Sequence, residues 1–92
     1  MHSRRVTVMS TSGLHARPAA VFVRAAAAAR STVLVRKDGR EASAKSLITL
    51  LLLGVHQGDE VEVVADGPDE VETVDRLVEL LSRNLDEEGT HP

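Results

Sequence analysis

The sequence predicts a small α+β domain in which helices cover one face of a four-stranded antiparallel sheet. Three observations support this prediction. Segments of strand-like and helix-like period follow one another in the order strand, helix, strand, strand, helix, strand, helix. Asp38-Gly39 lies between two strand-like segments and favours a tight hairpin turn. The length of 92 residues supplies one modest hydrophobic core, so we expect a single domain.

The first element is a predicted strand over residues 4–9. Val6 and Val8 alternate with polar side chains, which is the pattern of a strand with one buried face. The polar residues 10–13 then end the strand in a turn.

A helix is predicted next, over residues 16–29. Pro18 belongs in its first turn, where the missing N–H of proline removes no intrahelical hydrogen bond. Arg24 and Arg30 lie outside an apolar stripe at helical spacing. The stripe comprises Ala19, Ala20, Phe22, Val23, Ala26 and Ala27.

Two antiparallel strands are predicted over residues 32–44, because the first part of this segment is rich in β-branched residues. Their inward-facing side chains would be Val33, Val35, Ala42 and Ala44.

A short helix is predicted over residues 47–53. Ser46 precedes it at a position where serine caps helices well, and Gly54 closes it. Because a helix of about two turns buries one stripe only, its outer side must expose some leucine or isoleucine. We expect one or two such residues to be exposed.

A fourth strand and a third helix complete the domain. Val61 and Val63 alternate with glutamates in a strand that ends at residues 66–68. An acidic first turn, favoured by the helix dipole, opens the last helix. Its predicted core positions are Val71, Val74, Leu77, Val78, Leu81 and Leu85. We place the domain at residues 1–87 and a disordered tail at residues 88–92.

Composition excludes several classes of function. Without cysteine, the chain has no disulfide, no thiolate chemistry and no cysteine-based zinc site. The longest apolar run, residues 50–53, is too short to span a bilayer, so we expect a cytoplasmic protein without membrane insertion. Nine of the eleven Lys and Arg residues fall within residues 4–45, and twelve of the fourteen Asp and Glu residues within 59–88. This separation, with a single aromatic residue, favours an acidic protein partner over nucleic acid.

His15 has surroundings that suit reversible phosphoryl carriage. It directly precedes the predicted helix, where the first-turn N–H groups of Ala16, Arg17 and Ala19 and the helix dipole favour an anion. The guanidinium of Arg17 matches phosphate oxygens. An imidazole nitrogen forms a covalent bond to a phosphoryl group that is labile enough to pass it on.

The other three histidines are interpreted as structural. His2 and His91 lie near the termini, and His56 lies in a polar turn. A metal site built from the histidines is the least favoured alternative, because no pair has ligand spacing on one element. We therefore expect neither a metal nor a cofactor.

The stretch Gly13-Leu14-His15-Ala16-Arg17-Pro18-Ala19-Ala20, followed by Phe22-Val23, resembles the active-site motif of the HPr family, the histidine-containing phosphocarriers of bacterial sugar phosphotransferase systems. Later stretches are similar to further family landmarks, so the resemblance covers about residues 4–86. These stretches are Ala44-Lys45-Ser46-Leu47, the turn from Leu53-Gly54 to Gly58-Asp59, and Ala65-Asp66-Gly67 to Asp69-Glu70.

The resemblance implies an open-faced β-sandwich, with three helices on one face of the sheet. It implies that His15 accepts a phosphoryl group on its pros nitrogen, Nδ1, from enzyme I charged by phosphoenolpyruvate, and passes it to EIIA components of sugar permeases. Arg17 and the backbone N–H groups of Ala16 and Arg17 would hold the phosphoryl group. The protein would be a monomeric carrier and not an enzyme in the strict sense.

The resemblance also implies a regulatory position and a docking surface. Ser46 matches the serine that a dedicated kinase modifies in many members, which then act with a transcriptional regulator; a phosphorylase would reverse the modification. Its alternative role is that of an ordinary N-cap. The docking residues would be Ala20, Arg24, Leu47, Ile48 and Leu51, with Phe22 or its neighbours. Ala27 and Thr49 stand where basic residues are frequent in the family, which affects partner strength and not the chemistry.

Two alternative functions stay open at this point. One is a regulatory adaptor that works mainly through Ser46, like HPr-like proteins that lack the active histidine; the presence of His15 and Arg17 argues against it. The other is a carrier in a parallel pathway, related to nitrogen or dihydroxyacetone, with the same chemistry and different partners.

Overall fold

The computed structural model describes residues 1–9 and 16–83 of the chain. The seven elements follow the predicted order. They are β1 (His2–Thr7), α1 (Ala16–Ala27), β2 (Thr32–Lys37), β3 (Arg40–Ser43), α2 (Leu47–Leu53), β4 (Glu60–Asp66) and α3 (Glu70–Leu81). The predicted domain boundary at residue 87, the tail over residues 88–92 and Leu85 lie outside the described residues.

The four strands form one antiparallel sheet in the spatial order β1-β4-β2-β3. Val6 lies opposite Val61, and Val35 lies between Val63 and Ala42. The helices cover the face that carries these side chains, which confirms the predicted open-faced α+β architecture. Helix side chains that complete the core include Phe22, Leu50, Leu77 and Leu81.

The opposite face of the sheet carries a row of alternating charges. Arg5, Glu62, Arg36 and Glu41 are register partners across the four strands. The Arg36 guanidinium lies 3.1 Å from a Glu41 carboxylate oxygen and 3.6 Å from one of Glu62. The uncovered face is therefore polar by cross-strand pairing, and Val64 at its centre is still only 3% exposed.

The first strand occupies residues 2–7, so the predicted range of 4–9 was wrong at both ends. The ladder stops after Thr7 because the partner strand has already turned at Gly58. Val8 is nevertheless fully buried in the core. The alternation of Val6 and Val8 therefore predicted the inward-facing side correctly, although the strand ends at Thr7 and not at Met9.

Helix α1 ends at Ala27, two residues before the predicted end. Of the predicted apolar stripe, Ala19, Phe22 and Ala26 are buried, whereas Ala20 and Ala27 are exposed. The predicted stripe was wider than one buried helix face. Alanine tolerates either environment, since its exposure leaves little apolar surface in water.

Helix α2 has the predicted caps at both ends. The Ser46 hydroxyl accepts a hydrogen bond from the backbone N–H of Thr49 at 3.4 Å, and Gly54 adopts the left-handed conformation with φ of 72°. Two basic side chains then bind carbonyl groups at the C-terminal end: Lys37 Nζ donates to Gly54 O at 2.7 Å and an Arg40 guanidinium nitrogen to Leu53 O at 2.8 Å. Cations at this end also oppose the negative pole of the helix.

The third helix, α3, buries Val74, Leu77, Val78 and Leu81 as predicted. Val71 is 51% exposed, so its prediction as a core residue was wrong. It lies in the first turn of α3, on the side of the helix away from the core, and the periodicity of the sequence does not reveal this.

Candidate functional site

His15 lies outside the described residues, but the elements on either side of its segment are described. Helix α1 begins at Ala16, the next residue in the chain. The first residues of a helix have N–H groups without intrahelical acceptors, and Pro18 carries no N–H at all. The N–H groups of Ala16 and Arg17 are therefore in the first turn of α1, directly after His15 in the chain, as predicted. No acidic residue stands in this first turn.

The start of the same segment is fixed by main-chain hydrogen bonds. Val8 donates to the carbonyl oxygen of Asp59 and accepts from the N–H of Gly58, both at 2.9 Å. Met9 donates to the carbonyl oxygen of Leu81, at the end of α3, at 3.0 Å. The chain thus leaves the sheet at a point held by the turn before β4 and by the end of α3.

The turn before β4 is closed by Asp59. Its carboxylate accepts a hydrogen bond from the backbone N–H of His56 at 2.8 Å and lies 2.9 Å from Lys37 Nζ. The His56 bond first, and the Lys37 contact second, lower the pKa of the Asp59 carboxyl group below its ordinary value. His56 itself is 69% exposed, in accordance with its interpretation as a turn residue.

Three predicted side chains share the outer face of α1. Arg17, Ala20 and Arg24 are all exposed, and their spacing of three and four residues places them on one side of the helix. Phe22 is fully buried, so of the expected docking position at Phe22 or its neighbours, Phe22 itself is not at the surface, whereas its neighbour Val21 is 37% exposed. The position of Phe22 in the helix turns the ring into the core, where it is among the largest buried side chains.

Helix α2 exposes more apolar surface than predicted. Leu47, Ile48, Leu51 and Leu52 are 38%, 70%, 36% and 74% exposed, whereas we expected one or two such residues. The inward stripe of this short helix holds only Leu50 and Leu53. Helices α1 and α2, which carry the predicted docking residues, are in contact with each other.

Ser46 and Thr49 are engaged in the local structure of α2. The Ser46 oxygen caps the helix, and the Thr49 hydroxyl lies 3.1 Å from the carbonyl oxygens of both Ser43 and Ser46. The cap role of Ser46 is thus confirmed in geometry. The Thr49 hydroxyl is used in these bonds to the backbone. Helix α2 contains no charged residue, so its exposed surface carries no charged side chain of its own.

Two residues near the site were missed in the sequence. Lys37 ends β2 and Asp59 lies in the turn before β4, and β3 and α2 stand between them in the chain, so no local spacing relates them. The only sequence signal was the polar turn before β4, which contains Asp59. Their contact follows from the position of the hairpin beside the end of α2.

Within residues 1–9 and 16–83, no group of three or more His, Cys, Asp and Glu side chains is arranged to hold a metal ion. None of the helices in this same part of the chain is long and apolar enough to cross a membrane.

Known proteins resemble the chain over nearly its whole length. The family model described as "PTS HPr component phosphorylation site" matches residues 2–83. Phosphocarrier protein HPr of Haemophilus influenzae is 44% identical over 81 residues, which are 88% of this chain and 95% of that protein. HPr-like protein Crh of Bacillus subtilis is 43% identical over 85 residues, which are 92% of this chain and 100% of that protein.

Solved structures share the fold. A crystal structure of HPr from Thermoanaerobacter tengcongensis has a TM-score of 0.86 and 41% identity, and the alignment covers 88% of this chain and 91% of that one. A structure of Bacillus subtilis Crh, described as a swapped-domain dimer, has a TM-score of 0.71 and 41% identity over 88% of this chain and 93% of that one. The family match includes every strand and helix from β1 to α3. The chain therefore belongs to the HPr family, the phosphocarrier proteins of the phosphotransferase system.

Proposed function

We propose that His15 is the phosphoryl acceptor, charged by phosphorylated enzyme I at the expense of phosphoenolpyruvate, and that it passes the group to EIIA components of sugar permeases. The observation that carries this proposal is the start of α1 at Ala16, directly after His15 and inside the region that matches the family's phosphorylation-site model. This position places the N–H groups of the first turn of α1 directly after His15 in the chain.

The transfer itself requires little from this chain beyond a nucleophile and an anion site. The Nδ1 lone pair of His15 forms the new N–P bond while the bond from phosphorus to the donor breaks, and delivery reverses these roles. The guanidinium of Arg17 and the N–H groups of Ala16 and Arg17 stabilise the phosphoryl oxygens. The protein is a carrier with a transient phosphohistidine, and the partner supplies the remaining catalytic groups.

Partners dock on the side formed by α1 and α2. Leu47, Ile48 and Leu51 provide apolar surface, Ala20 permits close approach, and Arg24 pairs with acidic groups of enzyme I. The exposure of all five residues supports this role. Because Ala27 and Thr49 carry no charge, apolar contact contributes a large share of the affinity.

Ser46 is a second modification position in this proposal. Its side-chain oxygen lies at the start of α2, so a kinase would place a phosphate beside the exposed leucines. A phosphorylase and a transcriptional regulator would complete such a circuit. The same position fits the cap role equally, and both roles are compatible.

The protein acts in the cytoplasm as a monomer and needs no cofactor in this proposal. The similarity to Crh favours one alternative, a regulatory adaptor that works through Ser46. The same His15 chemistry would also serve a parallel nitrogen-related or dihydroxyacetone-related pathway. His15 and Arg17 favour a carrier over an adaptor.

Labelling tests the acceptor directly. The purified protein is incubated with a bacterial enzyme I and labelled phosphoenolpyruvate. We expect one acid-labile phosphate per chain in the wild type and none in His15→Ala, with the phosphorus signal of phosphohistidine in NMR. Ser46→Ala is the matched control and should be labelled like the wild type. Absence of label in the wild type would refute the proposal.

A further inference from the structure

The side chain of Lys37 connects the end of α2 to the turn before β4. Its Nζ donates to the carbonyl oxygen of Gly54 at 2.7 Å and lies 2.9 Å from the Asp59 carboxylate. Lys37 is 14% exposed and Asp59 31%, whereas the Arg4–Asp75 pair on the surface is 50% and 53% exposed. Screening by water is therefore weaker for the Lys37–Asp59 pair than for the surface pair.

The turn that Asp59 closes also binds Val8 and Met9, the last described residues before His15. The Asp59 carboxylate and the Asp59 N–H both bond to the backbone of His56, at 2.8 Å and 3.0 Å, and so close residues 56–59. Gly58 and Asp59 then bond to both main-chain groups of Val8. The amide of Gln57 lies 3.4 Å from the carbonyl oxygen of Met9.

We propose that Lys37 and Asp59 are positioning residues for phosphoryl transfer. Their ion pair fixes the turn over residues 56–59, and this turn fixes the point at which the His15 segment leaves the sheet. Neither side chain is assigned a contact with the phosphoryl group. The inference rests on the proposed function, since it takes His15 as the acceptor.

Lys37 also contacts the end of α2, the helix that carries the proposed docking leucines. Gly54 directly follows α2, whose exposed leucines belong to the proposed docking surface. Through these two contacts, Lys37 fixes the distance between the end of α2 and the turn over residues 56–59. A partner seated on α2 then meets Val8, which leads toward His15 in the chain, at a fixed distance from α2. Such positioning matters because a displacement of about 1 Å at a reacting atom can cost on the order of a hundredfold in rate.

Transfer kinetics distinguish positioning from a general loss of stability. Single-turnover transfer from phosphorylated enzyme I is measured against carrier concentration for Lys37→Met, Asp59→Asn and the double variant. We expect the maximal rate to fall about tenfold in each single variant and no further in the double variant, because the two residues act as one unit. The half-saturating concentration should stay unchanged, since the docking surface is intact.

Two control variants sharpen this test. Asp75→Asn removes the Arg4–Asp75 ion pair, which touches neither the turn nor α2, and should leave both kinetic constants unchanged. Lys37→Arg retains a cation with donors and should keep most of the rate. Maximal rates at the wild-type level in Lys37→Met and Asp59→Asn, or losses equal to that of Asp75→Asn, would overturn the proposal.

Amide hydrogen exchange tests, in the absence of partner proteins, whether the Lys37–Asp59 ion pair holds Val8 and Met9 in place. The Val8 and Met9 amides should exchange faster in Lys37→Met and Asp59→Asn than in the wild type and Asp75→Asn. Unchanged exchange in both variants would show that the ion pair does not hold Val8 and Met9, and it would overturn the positioning role without touching His15 as the proposed acceptor. If the wild type takes up no phosphate from enzyme I, the proposed function fails instead, so the two failures are distinguishable.

Discussion

The carboxylate of Asp69 accepts hydrogen bonds from both the backbone N–H and the hydroxyl of Ser31. A third bond comes from the N–H of Arg30 at 2.9 Å. Although Asp69 stands at the N-cap position of α3, its side chain makes no cap hydrogen bond to that helix. It instead joins the start of α3 to the start of β2, two places that are distant in the chain.

Asp69→Ala should destabilise the fold and remove part of its acid sensitivity. The Ser31 hydroxyl first, and the Arg30 N–H second, lower the pKa of Asp69 from 3.8 to about 2. Because the folded pKa lies below the unfolded one, the stabilisation is present above the unfolded value and is lost as the pH falls through the folded value. Urea unfolding between neutral pH and about pH 2 checks this.

The free energies of unfolding of the wild type and Asp69→Ala should therefore differ most at neutral pH and converge as the pH falls to about 2. Asp75→Ala, which removes a carboxylate from a surface pair, serves as the control. A constant difference between Asp69→Ala and the wild type across this range would contradict the assignment.

Gly67→Ala should lower the free energy of unfolding by about 1–3 kcal/mol. A methyl group at this position would lie 2.7 Å from the Ser31 Cα, and the φ of 156° is one that L side chains rarely adopt. Gly39→Ala is the matched control, because its φ is also positive at 79° but nothing lies within 4 Å of the added carbon. Chemical denaturation should show a smaller loss for Gly39→Ala; equal losses would show that the Ser31 contact contributes nothing.

Ser46→Ala should lower the free energy of unfolding by about 1 kcal/mol, because the N–H of Thr49 loses its acceptor. Ser46→Asp keeps an acceptor at the cap and should retain most of the stability, while its charge beside the leucines of α2 should slow transfer from enzyme I. Thermal unfolding and the transfer assay separate the two effects. Ser46→Asp that transfers at the wild-type rate would argue against regulation through this position.

Ile48→Ser should weaken binding to enzyme I by about tenfold, as loss of an apolar anchor at an interface does. Its 70% exposure means that the free protein buries little of this side chain, so its stability should barely change. Val71→Ser is the matched control, since Val71 is 51% exposed in the first turn of α3. Calorimetric titration checks both variants, and equal affinities would place the docking surface elsewhere.

Most of the fold was predictable because its signals are local. The hairpin at Asp38-Gly39, the caps of α2 at Ser46 and Gly54, and the inward face of β2 all follow from short sequence patterns and are confirmed. The order of strands in the sheet is a long-range property, and no pattern within β1 or β4 indicates that they are neighbours.

The described residues on either side of His15, the proposed acceptor, were predictable only in part. The helix start at Ala16 and the exposure of Arg17 follow from the motif itself. The burial of Phe22 and the exposure of Val71 depend on how each helix is rotated against the sheet, which periodicity defines only to within a wide stripe. The Lys37–Asp59 contact depends on the relative position of β2, α2 and the turn before β4, and the polar turn that contains Asp59 does not indicate its partner.

The sheet order also has a consequence for synthesis of the chain on the ribosome. Of the four described strands, β1 is made first, and among them it pairs with β4 alone, which follows in the chain after α1, β2, β3 and α2. The nascent β1 segment therefore waits without a partner until residues 60–66 appear, and the sheet closes in a late, long-range step. Its paired arginines, Arg4 and Arg5, keep this waiting segment charged and so reduce its tendency to associate with other chains.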